Sequence, residues 1–535
     1  MPDARVLLVD GYIDDPAALG VPPYISPMVR AVAGAAKDAG AAVEYVTADK
    51  IRNGHKIPKA DVSVVLSGNT VPGRYLRSMP MSVNEITNIS AKLSGWKLIG
   101  GSSSSSDAAA GFDFQIRTDL AASLYDGLTG KEVGERHRTL DEWNRWMMLG
   151  ADIVKEHQDH PQPLIAEVET YRGCHRFRSG GCSYCIEPLK GEPLMRSPGD
   201  VSEEVSRLKE MGVRNIRIGG QTCIISYGSK DYLGIPKPEP DIVNGLFTEL
   251  AEMRFDVLHV DNANPAVISE HPDLSSDILR TLTECCTPGN VLALGMESAD
   301  PAVINANNLN STPEQVMRAV RLINDIGGGR GDNGMPKLLP GLNLISGLDG
   351  ETAYTYKANA DLLSELLAEG LMIRRINIRQ VLPVRREFDT KIDHNRFKRY
   401  KQQIRENIDA PMLRRIVPVG TVLRRVYLEL ADGGLTFGRQ IGTYPLLVGI
   451  PYRTDVNRFC DIIVTDHGFR SITGIEYPFP INRASMSAIS SLPGIGKKRA
   501  AKIMVARPIR DRDGLAAAVD DKVVVDRLSD MISFE

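Results

Sequence analysis

The sequence predicts a multidomain α/β protein. It reads as a Rossmann-like doubly wound domain (1–145), a partial (β/α) barrel (146–412), a small β-rich, barrel-like segment (413–480) and a helical C-terminus (481–535). Three observations carry that expectation. Apolar strand-like runs alternate with helix-period segments through 1–110 and again through 166–390, the pattern of parallel sheets with crossover helices. From 418 the chain changes to short strands punctuated by glycine, and from 482 to helices. The chain of 535 residues is too long for one core; at roughly 100–200 residues per domain it holds about three or four.

In the first block, RVLLVD (5–10) reads as a buried strand and 26–41 as a helix, with Ser26 as N-cap and Pro27 at its first position. Residues 42–49, 60–68 and 97–101 read as further strands. Ligands of such sheets sit at the carboxyl ends of the strands. This chain has Asp10-Gly11-Tyr12, Gly68-Asn69-Thr70 and Gly100-Gly101 there, the last followed by the serine run 102–106. Those small residues fit either ordinary tight turns or a ligand lying against backbone. Residues 110–165 read as polar helices joining two domains, with Trp143 and Trp146 as packing anchors. Strands then recur within 167–173, 215–220, 257–262, 291–298, 338–347 and 374–384, with helices between them, which suggests a (β/α) barrel.

Composition excludes several classes. Sixty-four basic and 67 acidic residues leave a net charge of −3, and 24% charged with 42% hydrophobic residues rules out a largely disordered chain. Whole-chain charge gives no hint of nucleic acid, so such a partner must be read from a local patch. The start MPDARVLLVD lacks a basic leader and a cleavage site, and no window reaches about eighteen apolar residues; the expected location is cytoplasmic, with no membrane partner.

Seven cysteines, at 174, 182, 185, 223, 285, 286 and 460, are too sparse and uneven for a disulfide framework. Cys174, Cys182 and Cys185 form a C-x7-C-x2-C loop after the first strand of the second block. Three thiolates with no fourth cysteine nearby suit a [4Fe–4S] cluster with one iron left open. A structural zinc site wants four ligands and a closed cluster four cysteines; His175 completing a Cys3His zinc site is the alternative. Cys223, Cys285 and Cys286 read as core thiols.

On these residues the chain resembles the radical S-adenosylmethionine (SAM) superfamily, which carries a three-cysteine loop after its first barrel strand. Tyr184 matches the aromatic before the third cysteine, whereas the seven-residue first gap is longer than the common spacing. Gly219-Gly220-Gln221-Thr222 ends the next strand, where the family contacts the methionyl amino group of SAM. Gly295-Met296-Glu297-Ser298 looks like its ribose-facing G-x-E/Q-S motif, and 305–320 resembles its following helix. Gly347 to Thr352 is similar to the G-x-x-G-E-T turn of methylthiotransferases, with a structural Glu351. Arg379 lies on the strand whose backbone faces adenine. The resemblance implies that Cys174, Cys182 and Cys185 hold the cluster and that Tyr184, Gly219, Gly220, Gln221, Glu297, Ser298 and Arg379 hold SAM. It further implies that one-electron cleavage of SAM gives a 5′-deoxyadenosyl radical, with an electron donor such as ferredoxin or flavodoxin.

The flanks extend the resemblance. The first block resembles the cobalamin-binding domain of one class, through Pro22-Pro23-x-x-Ser26-Pro27 and Gly100-Gly101. The cobalt-ligating Asp-x-His-x-x-Gly is absent, with Asp10-Gly11-Tyr12 in its place. Some class members bind cobalamin without that histidine and others have lost the cofactor, so cobalamin stays open. Near the C-terminus, Leu492-Pro493-Gly494-Ile495-Gly496-Lys497-Lys498-Arg499 resembles a helix-hairpin-helix motif, in which Gly494 and Gly496 offer backbone N–H groups and Lys497, Lys498 and Arg499 charge to a phosphate. A structural hairpin with a solvated basic face is the plain alternative. The stretch 391–425 carries ten Lys/Arg against three Asp/Glu, and 418–477 resembles, loosely, an RNA-binding TRAM barrel. The whole arrangement is similar to archaeal radical SAM proteins with a C-terminal helix-hairpin-helix. The reading is an enzyme that modifies nucleic acid, RNA (tRNA above all) over DNA, by methylation if cobalamin is bound. A small-molecule or protein substrate with the hairpin used for assembly, and a non-enzymatic cluster protein, are the alternatives.

Overall fold

The computed structural model describes residues 3–13, 24–68 and 75–535. Pro22, Pro23, Asn69 and Thr70, singled out above, lie outside the described residues. Six strands precede the barrel: β1 (Arg5–Gly11), β2 (Tyr24–Ile25), β3 (Ala42–Thr47), β4 (Val62–Ser67), β5 (Trp96–Gly101) and β6 (Phe114–Gln115). Five of them form one parallel sheet in the order β3-β1-β4-β5-β6. Its central strands are buried on both faces, as their unbroken apolar runs require. The helix Pro27–Asp38 begins as its sequence demands, with the Ser26 hydroxyl accepting from the Met28 N–H. A helix that the periodicity did not suggest, Val83–Ser90, starts on a capping box of Ser82 and Glu85.

Residues 110–165 are not an exposed joint. The helix Leu140–Leu149 lies across Pro27–Asp38, so closely that a Cβ on Gly34 would sit 1.9 Å from the Trp146 carbonyl oxygen. Trp143 and Trp146 are fully buried there, and the Trp146 indole donates to Asp38 at 2.9 Å.

The second block contains β7 (Ile165–Glu169), β8 (Tyr171–Arg172), β9 (Leu194–Met195), β10 (Asn215–Gly219), β11 (Val257–Val260), β12 (Asn290–Glu297), β13 (Leu338–Ser346) and β14 (Arg375–Gln380). Strands β7, β10 and β11 pair in parallel, as do β12, β13 and β14. A single bridge, Ala263 to Leu294, joins the two groups into one open arc. The six strands expected from the sequence thus run in chain order around a partial barrel, with helices between them. The strand β2 was not foreseen: it leaves the N-terminal block to pair with β7 through Tyr24–Ile165 and Ile25–Ala166. The expected single helix over 305–320 is also different. The chain forms two helices, Pro301–Ala306 and Pro313–Gly327, because a Thr312/Gln315 capping box with Pro313 restarts the second one.

Beyond the core, β15 (Val422–Asp432), β16 (Leu435–Gln440), β17 (Leu447–Ile450), β18 (Arg458–His467) and β19 (Ser471–Glu476) close into a five-stranded barrel. The strand β20 (Phe479–Pro480) then pairs with β21 (Ile532–Ser533), returning the C-terminus to the start of the last helical segment. No helix among the described residues is long and apolar enough to cross a membrane.

An open arc leaves its first strand an exposed edge. Here β2 covers the start of β7, and two guanidinium groups take the rest: Arg30 donates to the Glu167 carbonyl and Arg196 to the Glu169 carbonyl, the latter at 3.1 Å. Both arginines pair with the wholly buried carboxylate of Glu204 on the helix Pro198–Glu210. Removing one member of a buried ion set strands the other charges at a cost of about 3–5 kcal/mol. Glu204→Ala is therefore expected to lower the free energy of the first unfolding transition by about that amount, and to release the N-terminal block to proteolysis before the C-terminal barrel.

Two buried groups, Asp10 near the end of β1 and His157 in the segment before β7, titrate in opposite senses. Burial raises Asp10 to about 6, and burial lowers His157 to about 3. Between about pH 4 and 6 the folded chain holds an extra proton on Asp10, so stability falls as pH rises. Between about pH 3 and 6.5 it lacks one on His157, so stability rises with pH. The two slopes oppose. Asp10→Asn removes the first slope, so between about pH 6 and 4 the variant is expected to lose about 1.4 kcal/mol more stability per unit of acidification than the parent protein, measured by denaturation of both across pH.

Candidate functional site

The cysteine loop spans the gap between β8 and β9, whose antiparallel pairing of Tyr171 with Met195 and Arg172 with Leu194 closes its base. Left-handed backbone at Gly173, Gly180 and Gly181 bends it back on itself. Cys174, Cys182 and Cys185 are all half-buried along it. Burial pushes the Cys182 thiol up to about 12 and Cys185 to about 11, and raises Cys174. Such thiols stay protonated until a metal replaces the proton.

Three side chains that the sequence reading passed over hold this loop. Arg176 donates through its backbone N–H to the Cys174 sulfur at 3.5 Å and through Nη1 to the Cys182 sulfur at 3.3 Å. Asn308, in left-handed backbone at the end of the short helix Pro301–Ala306, donates to the Gly181 carbonyl at 2.8 Å and the Ser179 carbonyl at 3.1 Å. Arg385, beyond β14, donates from one nitrogen to the carbonyls of Gly180 and Cys182 at 2.8 Å and of Cys185 at 3.2 Å. The break in the expected 305–320 helix is what delivers Asn307 and Asn308; Ser183 bonds Asn307 through both its backbone and its hydroxyl.

The remaining candidates line the carboxyl ends of the strands with one exception. Gly219 and Gly220 end β10, the latter at φ +78°, and a Cβ on either would strike the side chain of Glu167 or Glu169. The Gln221 side chain points the other way, donating to the Ile218 and Asp261 carbonyls at 3.3 and 2.9 Å, and is fully buried. Glu297 ends β12 in left-handed backbone, a strained conformation for a non-glycine residue. Its carboxyl lies near the Tyr184 phenol and Arg379 and is raised to about 7 by burial. One carboxylate oxygen, Oε2, is buried with no partner. Ser298 accepts from the Asp300 N–H at 3.1 Å and shapes the turn into the next helix. Glu351 accepts from the Gly347 N–H at 2.8 Å and the Tyr356 hydroxyl at 2.6 Å, the structural role expected of it.

His175 turns away from the thiols. Its ring packs edge-on to Tyr171 and its Nε2 lies 3.2 Å from the Ser229 carbonyl. Among the described residues no three His, Cys, Asp or Glu side chains converge on a single ion. A mononuclear zinc site requires that convergence within about 2.3 Å of one metal. Thiols held apart on one loop fit instead a cluster, in which each cysteine takes a different iron. An orphaned carboxylate oxygen and a glycine cradle facing that loop fit a small ligand with hydroxyl and amino groups.

At the C-terminal hairpin, Gly494 (φ +80°), Gly496, Lys497 and Lys498 are exposed at the start of the helix Lys497–Ala506. Arg499 is engaged within the protein, donating to the Gly494 carbonyl and to Asp521, both at 2.7 Å.

The chain is similar to several known proteins. The family model described as the radical SAM superfamily matches residues 168–353. An uncharacterized protein of Methanocaldococcus jannaschii is 42% identical over 507 residues, spanning 88% of this chain and 93% of that one. A tRNA-2-methylthio-N(6)-dimethylallyladenosine synthase of Clostridium botulinum is 24% identical over 253 residues, 46% of this chain and 51% of its own. Among solved structures, the cobalamin-dependent S-adenosylmethionine radical enzyme OxsB matches 76% of this chain and 56% of its own at 12% identity, with a TM-score of 0.45.

Cys174→Ala, Cys182→Ala and Cys185→Ala are each expected to abolish the iron-dependent visible absorbance of anaerobically reconstituted protein. Cys223→Ala and Cys460→Ala are expected to keep it, measured together with iron and sulfide content.

Proposed function

Because the chain belongs to the radical SAM superfamily, and shares nearly its full length with the methanocaldococcal protein, we propose that it modifies RNA, tRNA above all. As a radical SAM enzyme its cofactors are a [4Fe–4S] cluster and SAM, and together they supply, when bound, a reactive adenosyl radical. The chain's own residues do the rest. Cys174, Cys182 and Cys185 hold the cluster on a loop fixed from three sides. Gly219 and Gly220 let a ligand approach backbone, and Glu297, held near neutrality, offers both a hydrogen-bond donor and an acceptor to it. The half-buried Tyr184 lies beside Glu297, and Arg379 keeps part of its charge. Gln221 acts through the β10 turn and not by contact.

The observation that carries the RNA reading is the exposed Gly494–Lys498 turn, in which unpaired helix N-terminal amides and two lysines face solvent. That grouping suits a phosphate. We read 481–535 as a helix-hairpin-helix domain on that ground. Its second pair of helices, Arg512–Val519 and Lys522–Leu528, turns on Asp520 and Asp521 and so would repel phosphate. One hairpin of the two is thus left for the backbone of a nucleic acid. Exposed Arg396, Lys398 and Arg399 on the helix His394–Ile404, which follows the last barrel strand, add positive charge near the mouth. The tRNA-modifying relative supports the same substrate class. The β15–β19 barrel is read as a second RNA-facing module, and an electron donor of the ferredoxin or flavodoxin kind as the redox partner. The first block is read as cobalamin-binding-like. Its edge holds Tyr12 and not a histidine, and the Tyr12 hydroxyl accepts from Gln158 at 2.7 Å, so any corrinoid there would bind without a cobalt ligand from that position.

Reduced, reconstituted protein with SAM is expected to release 5′-deoxyadenosine; none released would remove the enzyme reading. Lys497→Glu/Lys498→Glu is expected to weaken tRNA binding in filter assays more than tenfold. The same pair should lower the salt slope by about two, one for each lost phosphate contact. Salt-insensitive binding would instead favour a small-molecule or protein substrate.

A further inference from the structure

The longer first gap of the cysteine loop has a physical consequence. Residues 175–181 fold as a 3-10 turn, His175–Phe177, capped by the Cys174 side chain, and then reverse at Gly180 and Gly181. The turn places Arg176 between two of the three thiols. Its backbone N–H reaches the Cys174 sulfur and its Nη1 the Cys182 sulfur. The guanidinium is not a loose surface group: Nη1 also donates to the Asn308 carbonyl at 3.0 Å and Nη2 to the Asn308 side-chain oxygen at 2.8 Å. No carboxylate pairs with Arg176 among the ion pairs of the described residues, so its charge is not neutralised by a near partner. The nearby cations Lys190 and Arg386 are, by contrast, paired with Glu187 and Asp349.

Hydrogen bonds to cluster sulfurs and nearby charge are levers that set a cluster's reduction potential. A cluster gains negative charge when it takes up an electron. A fixed cation donating to one of its thiolates stabilises that reduced state, and does so more strongly in a half-buried loop than in water. We propose that Arg176 is a positioning residue that raises the reduction potential of the cluster, and that the seven-residue spacing exists to bring it onto Cys182. The inference rests on the cluster reading above. Asn308 and Arg385 hold the loop, and Arg176 acts on the cluster's electronics through the sulfur.

The test uses full-length reconstituted protein poised with a low-potential one-electron reductant and mediators, with the reduced cluster followed by electron paramagnetic resonance. Arg176→Met removes the charge and the donor at similar length. At a fixed potential its reduced-to-oxidised ratio is expected to fall about tenfold, a shift of about 59 mV to more negative values for a one-electron couple. Arg176→Lys keeps a charge without the planar fork and is expected to fall between the two. If Arg176→Met fails to load iron, Arg176→Lys carries the measurement. A loaded variant whose midpoint equals that of the parent protein overturns the inference while leaving the cluster intact. A parent protein that forms no [4Fe–4S] signal overturns the cluster reading itself, a different result.

Discussion

The buried pairing of Arg30 and Arg196 with Glu204 is the constraint on which the rest of the molecule depends. A partial barrel must end somewhere, and its terminal strand exposes carbonyl groups with no neighbour. In this protein that strand is β7, which leads directly into the cysteine loop. Arg30 comes from a helix of the N-terminal block and Arg196 from the residue after β9, so one carboxylate ties the sheet, the edge strand and the far end of the loop. The close crossing of helices at Gly34 and Gly150 follows from the same need, since a Cβ on either would sit 1.9 Å from a carbonyl oxygen. A buried triad of this kind gives little net stability. What it contributes is a single permitted docking of the first block on the core.

A second buried polar set fills part of the barrel. Arg217 pairs with Asp261 at 2.6 Å and lies 3.5 Å from Glu167, and Tyr444 donates to both Asp261 oxygens at 3.0 Å. Tyr444 belongs to the loop between β16 and β17, and Arg375 lies over its ring at 4.5 Å. Strand register puts Arg217 level with Glu167 and His259, and Gly341 level with Arg375. Gly219, Glu297 and Arg379 lie nearer the carboxyl ends. The lumen is therefore filled by charge pairs and a borrowed tyrosine at one level, and lined by a glycine turn and a carboxyl with an unpartnered oxygen at the other. The second level carries the Glu297 oxygen that has no partner.

Much of this was legible in the sequence because it is local. Strand and helix periods, the cysteine spacing, Gly219-Gly220 and Glu297 all sit in short runs whose meaning needs no partner. What was missed is non-local. The strand β2 has two residues and no period to detect. Arg385 and Asn308 act on the cysteine loop from more than 120 positions away, and an arginine in VLPVRREF looks like any surface cation. Gln221 was misplaced for a related reason: adjacency to Gly220 suggested contact with the ligand, but a turn at φ +78° sends the next side chain inward.

Charge counting shows the same limit from the other side. The stretch 391–425 looks strongly basic in sequence, but its cations divide by what they touch. Arg415 donates to the Leu371 carbonyl at 2.7 Å, Arg424 pairs with Asp461 and Arg425 with Asp256. Arg415 and Arg425 fasten the helix and the C-terminal barrel to the core, Arg424 pairs within the barrel, and the charge of all three is locally compensated or aimed at backbone. Arg396, Lys398 and Arg399 stay exposed on one helix. At the hairpin, Arg499 is likewise taken by Asp521, and Lys497, Lys498, Lys502 and Arg510 stay exposed. A polyanion would therefore meet exposed cations in the 391–425 stretch and at the hairpin, fewer than the sequence count suggests. Binding would then be governed by whether both can be reached at once, a geometric condition that a flexible strand and a folded RNA satisfy differently.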